Sequence, residues 1–82
     1  RDVLGSRGLG DVYKRQVFEE MGELQKELCK HARGSDNRDD IAEEIADVLI
    51  MLDQMMLLHD CGKLVKRCKD FKLSRLQKVL EV

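Results

Sequence analysis

Two octapeptides constrain this chain more than any other feature. VFEEMGEL begins at Val17 and IAEEIADV begins at Ile41. Each carries a Glu-Glu pair at its third and fourth positions and another carboxylate three residues after the second Glu. The two align without a gap: Val17 matches Ile41, Glu20 matches Glu44, Glu23 matches Asp47 and Leu24 matches Val48. The apolar residues around them recur with helical spacing, as in Val17, Met21, Leu24 and Leu28, and no stretch alternates as a strand does. The pattern therefore predicts helices with acids set into their apolar stripes.

Residues on a helix turn by about 100° per step. With Glu44 at the origin, Val48, Met51 and Met55 fall within about 40° of it, Asp47 lies about 60° to the other side, and Glu43 falls toward the polar edge. The first helix repeats the arrangement, with Val17, Leu24 and Leu28 to one side of Glu20 and Glu23 to the other. Two such helices can face one another in pseudo-symmetry, each presenting an E-x-x-[DE] pair to a shared interior. Burying unpaired carboxylates together costs several kcal/mol per charge. Protonation relieves that cost, and a divalent cation relieves it better. An all-oxygen, all-anionic ligand set suits a hard ion, Mg²⁺ or Mn²⁺. Glu-Glu pairs are also common on solvated helix faces, since Glu is a good helix former. Either pair alone is weak; the doubled pattern beside an apolar stripe is stronger.

The rest of the chain frames these helices. The first is expected from Val17 to about Ala32, followed by the turn RGSDNRDD, in which Gly34 can end one helix and Ser35, Asp36, Asn37 or Asp39 can cap the next. A second helix runs from about Asp40 to His59, and HDCGK reads as a break because of Gly62. A basic amphipathic segment then extends from about Lys63 to Leu80, with a possible interruption near Asp70. Residues 1–16 hold three of the six glycines and show no apolar period. They read as a non-native or disordered leader, and the helical domain as residues 17–82. The fold expected is all-α: a small bundle of three to four helices.

Composition narrows the function. Fifteen basic against sixteen acidic residues leave no basic field for nucleic acid. No run approaches the roughly 18 apolar residues of a membrane span. Three cysteines and no secretory leader favour a cytoplasmic setting. His59, Cys61 and Cys68 lack a fourth ligand and a standard spacing for zinc. Met51, Met55, Met56, Phe18 and Phe71 read as packing residues. An 82-residue chain buries only a modest core alone, so a second copy is a plausible source of the remainder.

The spacing Glu19-Glu20-x-x-Glu23, twenty residues, then Glu44-x-x-Asp47 resembles the signature of the MazG-like all-α nucleoside triphosphate pyrophosphohydrolases, over residues 17 to about 80. The resemblance implies a helical bundle completed as a homodimer or homotetramer. It also implies Mg²⁺-dependent hydrolysis of a nucleoside or deoxynucleoside triphosphate to the monophosphate and pyrophosphate, in housecleaning of the nucleotide pool. By that likeness Glu20, Glu23, Glu44 and Asp47 would hold the metal, and Glu19 would support those ligands or help position water. Lys72 and Arg75 of KLSRLQK would take the place of the family's K-x-x-R phosphate-binding element. The Asn that often precedes that element in the family is absent here. A binding module without turnover and a purely structural oligomeric bundle are the alternatives.

Overall fold

The computed structural model describes residues 2–81, with side chains described from Asp11 to Leu80. Arg1 and Val82, the outer ends of the expected leader and domain, lie outside the described residues. The described residues form three helices and no strand: α1 (Asp2–Ala32), α2 (Arg38–Leu58) and α3 (Gly62–Glu81). The chain divides into two compact units, one reaching to Leu52 and the other starting at Asp53.

The first unit is an antiparallel pair made of α1 and the greater part of α2. Burial picks out one seam on each helix. On α1, Tyr13, Val17, Glu20, Leu24 and Glu27 are buried or half-buried; on α2 and its cap, Asn37, Ile41, Glu44, Val48 and Met51 are. Both series step by four and three residues in turn, which is the heptad seam of two helices packed along one line. The seam is narrower than the 3.6-residue stripe anticipated from the sequence. Met21, Leu28 and Leu52 belong to that stripe, yet each is exposed, at 45%, 48% and 37%. Two helices cover only the positions directly between them, and a wider stripe needs a third neighbour.

Two contacts fix how the seams face. The Asn37 amide bonds the Glu27 side chain, and Glu20 lies beside Glu44. These pairs are one heptad apart on both helices, about 10 Å along the axis. The same antiparallel register sets Leu24 level with Ile41, Val17 level with Val48 and Tyr13 level with Met51. The hairpin is thus a ladder of five layers in which an acidic layer sits between apolar ones and a polar layer closes the turn end. The core is small: Val17 and Met51 are its only buried apolar residues among those described, and both keep some exposure, at 5% and 6%.

Both helix ends are closed by the same device. Gly34 has φ +102°, its N–H donates to the His31 carbonyl, and the Ser35 N–H donates to the Lys30 carbonyl. This is a Schellman cap. At the end of α2, the Asp60 N–H donates to the Leu57 carbonyl and the Cys61 N–H to the Met56 carbonyl. Asp60 takes the left-handed position there, with φ 49°. The break within HDCGK is therefore made by Asp60, whereas Gly62 is the first residue of α3. A short polar side chain tolerates this conformation better than most, which is why Asp can stand where Gly was anticipated.

Two further boundaries depart from the sequence reading. Helix α1 begins at Asp2, fifteen residues before Val17. Glycines at positions 5, 8 and 10 lower helix propensity without forbidding the conformation. Helix α3 runs through Asp70 without interruption, and Lys66 Nζ donates to Asp70 Oδ2 at 2.9 Å across one turn. Every residue of α3 from Gly62 to Leu80 is exposed.

Candidate metal centre

The acidic layer forms because Glu20 and Glu44 occupy seam positions one heptad from the turn-end pair, one on each helix. Asp47 stands one turn beyond Glu44 and leans toward the same point. One carboxylate oxygen from each of Glu20, Glu44 and Asp47 lies within 4.8 Å of the others. Glu20 and Glu44 are half-buried, and Asp47 is exposed. The cluster therefore has a dry side against the helix pair and a wet side open to a ligand.

Electrostatics registers the crowding. Partial burial raises the Glu20 carboxyl above its ordinary value, and the Asp47 charge raises it further. The closeness of the Asp47 carboxylate, which could share a proton with Glu20, raises it as well, and Glu23 and Glu19 add to the repulsion. Glu44 is raised first by burial, then by Asp47, Glu23, Glu20 and Glu27. Both residues thus hold protons more tightly than a free Glu does. A cation placed among them would relieve the same repulsion.

The donor set fits a hard divalent cation. All three groups supply oxygen, and ligand oxygens about 2.1 Å from Mg²⁺ stand up to about 4.2 Å apart across the ion. Oxygens already within 4.8 Å need little movement to close on one. No imidazole or thiolate joins the cluster, so the softer ions favoured by such ligands have no counterpart here.

Of the four residues expected as metal ligands, three converge. Glu23 is exposed and its carboxylate falls outside the cluster, although its charge reaches both Glu20 and Glu44. Glu19 is exposed beside Glu20 and contributes only its charge. Lys72 and Arg75, expected to hold phosphate, are exposed on α3 in the other unit. Arg75 places its guanidinium 5.9 Å from the centre of the Phe71 ring, a stacking contact within one turn.

Two polar residues of the seam escaped the sequence reading as a pair. Glu27 is buried at 7% exposure. Its Oε1 accepts from Asn37 Nδ2 at 2.8 Å, its backbone carbonyl accepts from the same Nδ2 at 2.9 Å, and its Oε2 accepts from Lys30 Nζ at 3.4 Å. The Asn37 bond, with help from Lys30, holds the Glu27 carboxyl below its ordinary value despite burial. Asn37 is also the N-cap of α2, its carbonyl accepting from the Ile41 N–H at 3.0 Å. The heptad itself was the available signal: Glu27 follows Glu20 by seven residues, and Asn37 precedes Glu44 by seven.

No family model, curated protein or solved structure matches this chain. No helix among the described residues is long and apolar enough to cross a membrane.

Proposed function

We propose that the protein is a Mg²⁺-dependent nucleotide pyrophosphohydrolase, converting a nucleoside or deoxynucleoside triphosphate to its monophosphate and pyrophosphate. The observation that carries this reading is the convergence of Glu20, Glu44 and Asp47, residues of the motif that resembles the MazG-like family. Mn²⁺ would serve in place of Mg²⁺, since both favour oxygen ligands.

In this reading Glu20, Glu44 and Asp47 would hold the ion. Glu23 supplies a further negative charge next to the ion. Glu19, exposed beside Glu20, would support these ligands or help position the attacking water. A bound Mg²⁺ would neutralise phosphate charge and lower the pKa of the water that attacks the triphosphate. Lys72 and Arg75 are proposed to hold the phosphate tail, where a guanidinium can make a bidentate contact. The exposed apolar residues Leu49, Ile50 and Leu52 support assembly as a homodimer or homotetramer, which would cover them.

The test is incubation with a panel of triphosphates and Mg²⁺, with pyrophosphate and orthophosphate measured separately. Pyrophosphate release that requires Mg²⁺ and is lost in Glu44→Gln is expected. Orthophosphate as the product, or unchanged turnover in Glu44→Gln, would overturn the reading. Metal binding without turnover would favour a binding module instead.

A further inference from the structure

A buried carboxylate in a two-helix seam calls for a reason. Glu27 occupies a position that Leu or Ile would fill with less desolvation, and buried polar pairs are often no more stabilising than apolar replacements. What a polar pair in a seam does supply is a preferred alignment: here Asn37 Nδ2 reaches both Glu27 acceptors, while Asn37 Oδ1 stays buried without a partner. Here the pair joins the C-terminal part of α1 to the N-cap of α2, and it is the layer nearest the turn.

The carboxylate cluster depends on that alignment. Glu20 lies seven residues before Glu27 and Glu44 seven residues after Asn37, so the turn-end pair and the acidic pair are set by one register. The layer between them, Leu24 with Ile41, is apolar and would tolerate a small slide or rotation. The layer beyond, Val17 with Val48, is apolar as well. The acidic layer sets like charges of α1 and α2 beside one another, so it is a poor determinant of their alignment. Three ligand oxygens that must meet one ion tolerate displacements of only about 0.5 Å.

We propose that Glu27 and Asn37 are positioning residues for the metal centre: their hydrogen bond is a register lock that holds Glu44 and Asp47 across from Glu20. The proposal rests on the metal reading above. Neither residue touches the ion; each acts through the helix that carries a ligand. The bond from Asn37 to the Glu27 backbone carbonyl fixes the axial setting, and the bond to Oε1 fixes the rotation of α1 about its own axis.

The decisive variant is Glu27→Met combined with Asn37→Ser. Met restores an apolar seam of similar length, and Ser is as good an N-cap as Asn but too short to repeat the bond. A merely structural role predicts a lower melting temperature with Mn²⁺ affinity unchanged in the folded protein. The lock predicts the reverse: a melting temperature equal or higher, and Mn²⁺ binding weakened about ten-fold, as when a group that orients a metal ligand is lost. Mn²⁺ affinity would be read from the electron paramagnetic resonance signal of the free ion. Glu27→Gln keeps the Oε1 acceptor and should restore most of the affinity. Methyl nuclear Overhauser contacts from Leu24 to Ile41 and from Val17 to Val48 report the register without metal. Equal Mn²⁺ affinity with unchanged contacts in the double variant overturns the lock. If the parent protein binds no Mn²⁺, the metal reading fails, and the contacts alone decide: a changed pattern in the double variant supports the lock, and an unchanged one overturns it.

Discussion

The α1–α2 hairpin and helix α3 use similar residues to opposite ends. Both are amphipathic and dense in charge. Between Val17 and Leu52 ten acidic residues face four basic ones, whereas α3 carries seven basic against two acidic. The hairpin turns three carboxylates toward one point and buries Glu27 with partners of its own. On α3 no described side chain is buried, and Leu64, Phe71, Leu76 and Leu80 stand 54–76% exposed. The difference teaches what makes a charged residue informative. Charge on an exposed helix is compatible with solvation alone. Charge at a seam position must be answered by a hydrogen bond, a proton or an ion.

The contrast can be broken most forcefully at Met51. An Asp there enters the apolar seam at 6% exposure and should cost about 3 kcal/mol or more in urea denaturation. Val79→Asp, at a residue 69% exposed, should change stability by less than about 0.5 kcal/mol. A comparable loss at Val79 would show that α3 is covered in solution and would end the contrast.

The two Schellman caps sharpen it, since one helix junction lies in each unit. Gly34→Ala places a side chain at φ +102° and should lose about 1–2 kcal/mol. Asp60→Gly removes one at φ 49° and should gain about 0.5–1 kcal/mol, despite the added freedom of the unfolded chain. Thermal melts of the two variants should therefore move in opposite directions. Asn37→Ala, which loses both the cap and the bond to Glu27, should cost about 1 kcal/mol or somewhat more.

Proton linkage gives the smallest and most selective test. Glu20 and Glu44 are raised in the folded protein above the ordinary 4.5. They therefore favour the folded state at low pH, and that contribution is lost as pH rises through their folded values. Glu27 is lowered, so its contribution is present above about 4.5 and lost as pH falls through its folded value. Without metal, Glu44→Gln should flatten the decline of stability as pH rises above the ordinary Glu value of 4.5, and Glu27→Gln should flatten the decline as pH falls below it. Lys66→Gln, on the exposed ion pair of α3, should leave both limbs unchanged.

Much of this was legible in the sequence, for physical reasons that differ by element. The helical period identified the hairpin, and the angular position of Glu20 and Glu44 beside the apolar stripe placed them at the seam. The Asp47 side chain joined them as its i+3 spacing implied. Glu23 has the same spacing from Glu20, yet its oxygen falls outside the cluster, because spacing sets a face but not a rotamer. Glu27 was hidden among ordinary surface-like residues; only a heptad count from Glu20 reveals it, and that count needs the packing partner to be known. Asp60 was masked by Gly62, two residues on, since glycine is the stronger expectation for a left-handed cap. The exposure of Met21 and Leu28 follows from the number of neighbours a helix has, which no local pattern encodes.

The central claim is that the acidic layer of the hairpin is a cation site. The direct measurement is the melting temperature of the parent protein and of Glu44→Gln with and without Mg²⁺. A ligand at 100 times its dissociation constant adds about 2.7 kcal/mol to stability, equivalent to roughly 10 °C or more for a chain of this size. The account predicts such a rise in the parent and little or none in Glu44→Gln. An equal response of the two proteins, or no response in either, would contradict it.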